Sequence, residues 1–269
     1  MIITDKLVFL HSPKTGGTFV SEVLKKLQRR LSAKYSQPKP KYKDLRLLIF
    51  DLHNFRLHLT QHINYCRIPV KYKTRPILGC VRNPCDRYVS QYEFRNWERN
   101  PPVKKRYILK AFPNYPELTF GEYLEFTNTI EIKARRYAKE LKADIGIYTF
   151  HFIQMYFKDP RKVFNKIDED YINSEAYKDD MPNIIFLRTE NLNGDLYRAL
   201  LSLGYDEEDI AFILNEEKIL PDSGRRRADQ DWKKYYNPEL LNYVKRKERF
   251  LFKLFPEYDR PDREEGLNA

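Results

Sequence analysis

Residues 7–18 read LVFLHSPKTGGT, an apolar run followed by a loop that contains two adjacent glycines. The apolar run from Leu7 to His11 predicts a short buried strand. Beyond the loop, apolar residues at helical spacing predict a helix from about Thr18 to Leu31, with lysines and arginines on its opposite face. The apolar positions are Phe19, Val20, Val23, Leu24, Leu27 and Leu31. Together these segments predict a βα unit with the glycine loop at the carboxyl end of its strand.

The composition of this loop is typical of an anion-binding site. Gly16 and Gly17 let the backbone approach a bulky anion closely, and the helix that follows adds its N-terminal N–H groups and its dipole. Lys14 supplies a positive charge, while Thr15 and Thr18 supply hydroxyl donors. The loop therefore predicts a cradle for a phosphate or sulfate group.

The order of residues in the loop differs from that of a Walker A motif. In that motif the lysine follows the last glycine, and the next serine or threonine holds Mg²⁺. Here Lys14 precedes Gly16 and Gly17, and no well-placed acidic residue follows a later strand. The pattern disfavours metal-dependent nucleotide hydrolysis, and we expect no metal at this site.

A second strand and helix supply further anion-binding groups. Residues 76–81 predict a buried parallel strand, and Asn83 is a good N-cap for a helix over about residues 84–97. Arg82 ends the strand, and Ser90 lies about two turns into the helix. An arginine and a serine hydroxyl that converge on one oxyanion form a second phosphate site.

The rest of the chain continues the alternation of strands and helices. Residues 183–188 predict a third strand, residues 100–120 are loop-like, residues 120–157 are mostly helical, and a last amphipathic helix spans 237–254. This alternation predicts an α/β fold with a central parallel sheet flanked by helices. We expect a single domain over residues 1–269, with its ligands beyond the carboxyl ends of the strands.

The overall composition indicates which classes of binding partner and which cellular location to expect. A net charge of +11 favours anionic partners. Three cysteines without a C-x-x-C pair indicate neither a zinc site nor a disulfide framework. No window approaches the roughly 18 consecutive apolar residues of a membrane span, and the apolar stretch near Met1 is too short for a signal peptide. We therefore expect a cytoplasmic protein with no membrane partner.

The two anion-binding motifs resemble those of a known family. The segment from Pro13 to Thr18 is similar to the 5′-phosphosulfate-binding loop of the sulfotransferase superfamily, and Arg82-Asn83-Pro84 with Ser90 resembles its 3′-phosphate-binding motif. Residues 223–227 resemble the late basic loop that closes over the nucleotide. The residues of the first loop resemble those of carbohydrate and bacterial sulfotransferases more than those of the cytosolic aryl enzymes. The last helix, however, lacks the aspartate and the aromatic ending of carbohydrate-type members.

The resemblance implies a three-layer, P-loop-like fold and an enzyme that uses 3′-phosphoadenosine 5′-phosphosulfate (PAPS). Its sulfuryl group would pass in line to a hydroxyl or amine of a carbohydrate or small-molecule acceptor, releasing 3′-phosphoadenosine 5′-phosphate (PAP), with Lys14 stabilising the charge on the leaving oxygens. Residues 100–180 lie outside the donor motifs and are expected to shape the acceptor cleft. The residues expected to bind the donor are Pro13, Lys14, Thr15, Gly16, Gly17, Thr18, Phe19, Arg82, Ser90, Ser223, Gly224, Arg225 and Arg226.

This reaction needs a general base for the acceptor's proton. In carbohydrate-type relatives that use histidine, the base lies on a segment shortly before the 3′-phosphate arginine, and His62 has the matching spacing to Arg82. The family often has glycine before this histidine, where the chain has Gln61. His58 would lie one helical turn from His62 if residues 51–63 were helical. The alternative bases are His58, His11, Glu22 and Asp51.

Two other functions are compatible with parts of the pattern. A nucleotide-dependent small-molecule kinase would need Mg²⁺, and the position of Lys14 ahead of the glycines favours sulfuryl transfer instead. A non-catalytic module that binds nucleic acid or acidic glycans would show steep salt dependence and no saturable site for PAP. Because the chain carries two separate phosphate motifs, we expect no nucleic-acid partner.

Overall fold

The computed structural model describes residues 1–36, 42–51, 56–60, 62–217 and 231–259, with the backbone alone for 47–51 and 56–60. The chain forms two compact units. The first unit comprises Met1–Arg82, Gln154–Asp159 and Lys178–Arg225, and the second comprises Asn83–Ile153, Pro160–Tyr177 and Arg226–Ala269.

The first unit is built on a five-stranded sheet with a separate two-stranded hairpin. In chain order the strands are β1 Ile2–Thr4, β2 Val8–Leu10, β3 Tyr42–Asp44, β4 Leu47–Asp51, β5 Arg56–Thr60, β6 Ile77–Val81 and β7 Ile184–Arg188. The sheet order is β3-β1-β2-β6-β7, and β4 pairs with β5. Strands β2, β6 and β7 are parallel, with Val8 opposite Ile77 and Val81 opposite Arg188. The predicted α/β fold with a central parallel sheet is confirmed, and β1 and β3 extend that sheet in antiparallel pairing.

The helices follow the predicted alternation. In chain order they are α1 Gly17–Lys34, α2 Pro84–Phe94, α3 Asn96–Arg99, α4 Lys105–Ala111, α5 Phe120–Phe126, α6 Ile147–Tyr156, α7 Pro160–Lys166, α8 Glu169–Asn173, α9 Tyr177–Asp180, α10 Leu192–Ser202, α11 Glu207–Ile210, α12 Pro238–Lys247 and α13 Arg249–Leu254. A π-helical turn, Thr127–Glu131, follows α5. Within the described ranges, no helix is both long and apolar enough to cross a bilayer.

Helices α1 and α10 cover one face of the sheet. Their apolar residues form a single core with the strands, to which Phe9, Leu78, Cys80 and Leu187 contribute. Because side chains alternate along a strand, Gly79 faces the other side, where the ring of Tyr156 packs against it. A Cβ at Gly79 would lie 2.7 Å from that ring, so the glycine is needed for this close approach.

The hydroxyl of Tyr156 also completes the hydrogen bonding of the sheet. Strand β2 ends opposite Gly79, so β6 has no strand partner beside Cys80 on that side. The Tyr156 hydroxyl accepts a hydrogen bond from the Cys80 N–H at 3.1 Å and donates one to the Cys80 carbonyl at 2.8 Å. The end of α6 is thereby attached to β6, the middle one of the three parallel strands.

In the second unit, the start of α6 is capped by residues distant in sequence. The N–H of Ile147 donates to Oδ1 of Asn128 at 2.9 Å, and those of Tyr148 and Thr149 donate to the carboxyl group of Glu248 at 3.0 and 2.7 Å. These are N–H groups that a helix cannot satisfy within itself. The predicted continuous last helix is wrong at this point, because it breaks at Glu248, whose fully buried side chain reaches α6.

Two further local predictions are wrong, and one open question is decided. The segment 100–120 is not all loop, because α4 lies within it. Helix α2 ends at Phe94, before the predicted end near Trp97, because Arg95 adopts a left-handed conformation with φ of 49°. Residues 56–60 form a strand, so the condition under which His58 would lie one helical turn from His62 is not met.

Candidate functional site

The glycine loop joins β2 to α1 in the first unit, with left-handed backbone at two positions. Lys14 has φ of 58° and Gly16, the N-cap of α1, has φ of 79°. Left-handed residues ahead of a helix N-terminus are part of the backbone geometry of anion-binding nests. The buried Thr15 hydroxyl donates to the Ser12 carbonyl at 3.0 Å and so helps to hold the loop in this shape.

Both glycines are required by their surroundings. Gly16 has a backbone conformation that favours glycine, and a Cβ there would lie 2.3 Å from the Leu192 side chain. A Cβ at Gly17 would lie 2.3 Å from Cδ2 of His11, so the absence of a side chain lets the imidazole ring pack against the first turn of α1. The loop is therefore fixed by packing on both sides of the helix start.

Arg82 brings the end of the second parallel strand to this loop. It follows β6, and its Nη1 donates a hydrogen bond to the main-chain oxygen of Lys14 at 3.2 Å. Since β2 and β6 are parallel neighbours, their carboxyl ends lie at the same edge of the sheet. At the end of β7, the hydroxyl of Thr189 donates to the Val81 carbonyl at 2.9 Å and so links the third strand to this edge.

His62 also lies beside the loop. Its Nδ1 is 2.9 Å from the main-chain oxygen of His11, and the two imidazole rings meet edge to face with centroids 4.9 Å apart. A carbonyl oxygen can only accept, so Nδ1 of His62 carries a hydrogen. In the neutral ring, Nε2 then holds the lone pair that can accept a proton. The exposed His62 side chain is thus in the tautomer that suits a base.

The surroundings of His11 are those of a neutral, buried ring. Its exposed fraction is 3%, and its Nδ1 lies 3.3 Å from the Ser21 hydroxyl. Burial, assisted by His62, lowers the pKa of His11 from 6.5 to about 3. Among the acidic alternatives, Glu22 is paired with Lys25 at 3.0 Å. The side chains of His58 and Asp51 lie outside the described parts of the structure.

The remaining residues expected to bind the donor have different placements. Pro13 is half-buried and Thr18 is exposed, whereas the side chain of Phe19 is buried in the core, so only its backbone can face the loop. Ser90 lies on α2 in the second unit, where Asn83 caps the helix as predicted by accepting from the Cys85 N–H at 2.9 Å. The predicted residues Ser223, Gly224, Arg225 and Arg226 lie outside the described residues.

Sequence reasoning missed three contributions to this edge of the sheet. They are the Ser21 hydroxyl, the Thr189 hydroxyl and the main-chain carbonyl of His11. A main-chain group leaves no signal in a sequence. Ser21 lies among apolar residues of α1, and Thr189 is one of several polar residues that follow β7, so neither hydroxyl stands out in the pattern. The first unit nevertheless brings the loop, Arg82 and His62 together at one edge of its sheet.

Comparison with known proteins agrees with this chemistry. The profile of the Sulfotransferase family matches residues 1–174, which is more than half of the 269 residues. No curated protein matches significantly. Among solved structures, the crystal structure of mouse sulfotransferase SULT7A1 complexed with PAP is similar, with 18% identity, a TM-score of 0.41, and coverage of 96% of this chain and 84% of that one. The profile match establishes that the chain belongs to the sulfotransferase family and is a PAPS-dependent enzyme.

Proposed function

We propose that this enzyme transfers the sulfuryl group of PAPS to a hydroxyl or amine of a carbohydrate or small-molecule acceptor by in-line displacement. The observation that carries the proposal is the meeting of the anion loop, Arg82 and His62 within the first unit. In this proposal the loop binds the anionic end of the donor, Arg82 adds positive charge, and His62 is in the tautomer that suits a base. PAPS, when bound, supplies the sulfuryl group and a leaving phosphate.

In this proposal the loop holds the 5′ end of the donor. The N–H groups at the start of α1 and the charge of Lys14 stabilise negative charge that grows on the leaving oxygens. The hydrogen bond from Arg82 to the Lys14 carbonyl helps to hold the left-handed main chain of the loop in place before the donor binds. Arg82 is proposed to bind the 3′-phosphate, and Ser90 and residues 223–226 are proposed as further donor-binding residues on the basis of the sequence resemblance.

His62 is proposed as the general base. Its Nδ1–H is held by the His11 carbonyl, so Nε2 accepts the acceptor's proton while the oxygen or nitrogen attacks sulfur. The resulting imidazolium keeps its hydrogen bond to the same carbonyl. His11 fits the role of base poorly, because protonating its buried ring is unfavourable.

The acceptor is proposed to contact residues 100–180, as expected from their position outside the donor motifs. The described part of this segment carries tyrosines and phenylalanines together with lysines and arginines. Aromatic faces pack against sugar rings and basic groups pair with anionic substituents, so this composition favours a sugar or a polar small molecule. We also propose that the protein is cytoplasmic, in line with its short apolar runs.

Ligand-dependent stabilisation tests the proposal directly. We expect PAP to raise the melting temperature by mass action, whereas ATP with Mg²⁺ raises it much less. Equal shifts, or a larger shift with ATP and Mg²⁺, would favour the kinase alternative. Incubation with sulfur-labelled PAPS and a panel of sugars, phenols and amines then identifies the acceptor by transfer of the label.

A further inference from the structure

We propose that the imidazole of His11 is a positioning residue for His62, which holds the carbonyl of residue 11 in place and exchanges no proton in the reaction. This inference rests on the proposed role of His62 as the base. It goes further in giving His11 a defined function of its own. The loop histidine is then part of the machinery that sets the tautomer of the base.

Three contacts hold the His11 ring in one orientation. Its Nδ1 lies 3.3 Å from the Ser21 hydroxyl, its Cδ2 edge packs against the backbone of Gly17, and its ring meets that of His62 edge to face. Ser21 and Gly17 both belong to α1, the helix whose N-terminus completes the anion loop. The ring is therefore wedged between that helix and His62.

The packing of the His11 ring between α1 and His62 sets the direction of the main-chain carbonyl of residue 11. Residue 11 follows β2 directly, and its carbonyl accepts from Nδ1 of His62 at 2.9 Å. Which nitrogen of a histidine carries the hydrogen is set by the partner of the other nitrogen. If the His11 ring is removed, the carbonyl loses its lateral support and His62 can rotate or change tautomer.

The environment of His11 also argues against a role of its ring in proton transfer. Among the described residues, His62, the N-terminal amine, Asp44 and Lys25 act electrostatically on its ring, and of these four groups only Asp44 is an anion. Its buried position and the low pKa of about 3 keep the ring neutral at physiological pH. A neutral ring adds no positive charge beside His62, so it does not oppose protonation of the base.

Three variants separate positioning from catalysis. We expect His11→Ala to lower kcat by about 10²-fold, as small displacements of a catalytic group do, with the affinity for PAP close to that of the wild type. We expect His11→Phe to recover most of that loss, because phenylalanine restores the ring and carries no proton. In the His62→Ala background, His11→Ala should lower kcat very little further.

Different failures have different meanings. If His11→Phe is as inactive as His11→Ala, or if the losses in His11→Ala and His62→Ala multiply, His11 does not act by positioning His62. If His62→Ala alone keeps full activity, the proposed base is wrong, which is a separate result. A free energy of unfolding measured for each variant shows whether a loss reflects folding.

Nitrogen-15 NMR of the histidine rings gives a test that does not depend on activity. In the wild-type protein we expect His62 to show a protonated Nδ1 and an unprotonated Nε2 at neutral pH. We expect His11→Phe to keep that pattern and His11→Ala to lose it. A wild-type His62 with its hydrogen on Nε2 would overturn the proposal even if no variant folded.

Discussion

Nη1 of Arg82 donates a hydrogen bond to the main-chain oxygen of Lys14, at 3.2 Å. The acceptor belongs to a residue with φ of 58°, a left-handed conformation that costs a non-glycine residue about 1–2 kcal/mol. Such a conformation persists when its surroundings over-determine it, and the Arg82 contact is one of those constraints. The residue proposed for the 3′-phosphate therefore also supports the loop proposed for the 5′ end.

Replacing Arg82 with alanine should for this reason affect two kinetic parameters. We expect a higher KM for PAPS, from the lost charge, and a lower kcat, from a less well-held Lys14. The measurement is steady-state kinetics with PAPS varied at a saturating acceptor concentration. Arg99→Ala is a matched control, because Arg99 is exposed and also donates to a main-chain carbonyl, that of Phe94 at 2.6 Å. A change in KM alone would mean that Arg82 does not support Lys14.

The charge of Lys14 and the conformation of its backbone can be tested separately by two substitutions. We expect Lys14→Ala and Lys14→Gly both to lower kcat by about 10²-fold, because each removes the charge that stabilises the leaving oxygens. The two variants should differ in stability, since glycine adopts a positive φ without the strain of alanine. We expect the free energy of unfolding of Lys14→Gly to exceed that of Lys14→Ala by about 1 kcal/mol. Equal stabilities would show that the left-handed conformation is absent in solution.

Gly17→Ala tests the packing of His11 against α1. The added Cβ would lie 2.3 Å from the imidazole, so we expect the free energy of unfolding to fall by about 1–3 kcal/mol, as in other overpacked sites. Gly121→Ala is the control, because its Cβ would make an ordinary contact at 3.5 Å with Leu240. Chemical denaturation of both variants gives the comparison. A Gly17→Ala variant as stable as the wild type would argue against close packing of the His11 ring on the first turn of α1.

The features that the sequence predicted well are those with local causes. The loop before α1 and the Asn83 cap of α2 depend on side chains and backbone within a few residues of each other, and both could be predicted from the pattern. Strands β1 and β3 have three residues each, and neither leads into a loop and helix of the kind that identified β2 and β6, so the antiparallel edge of the sheet was not predicted.

Features that depend on distant contacts could not be predicted in the same way. The helix break at Glu248 results from contacts with residues of α6, about 100 positions earlier in the chain. The tautomer of His62 depends on a main-chain carbonyl 51 residues away. Spacing to Arg82 selected His62 as the candidate base, but the reason that its Nε2 can accept a proton is visible only in the structure.

The hydrogen bonds around Glu248 suit a protonated carboxyl group. Oε1 of Glu248 and Oδ1 of Asn128 lie 2.6 and 2.9 Å from the single hydroxyl of Tyr88. The orientation of the Asn128 amide is fixed, because Oδ1 accepts from Ile147 and Nδ2 donates to the Leu124 carbonyl. Tyr88 has one hydrogen for two acceptors, and both contacts are satisfied when a protonated Glu248 donates to the Tyr88 oxygen.

A neutral Glu248 gives stability a defined pH dependence. Burial raises the pKa of Glu248 above its ordinary value of 4.5. The folded state then holds a proton that the unfolded state releases as the pH rises through 4.5, so this group's contribution to stability falls with rising pH until the folded pKa is passed. The slope is about 1.4 kcal/mol per pH unit between the two pKa values.

Glu248→Gln removes this titration and isolates it from that of every other group. The amide of glutamine is neutral at all pH values. It loses the hydrogen bond from the Tyr148 N–H, and the destabilisation that results does not vary with pH. We therefore expect the free energy of unfolding of Glu248→Gln, measured by urea denaturation, to rise relative to the wild type as the pH increases from about 4.5. Below that pH the difference between the two proteins should be constant. A difference that stays constant from pH 4.5 to 8 would mean that Glu248 is ionised in the folded protein over that range, and a difference that grows as the pH falls below 4.5 would mean that its partners lower its pKa.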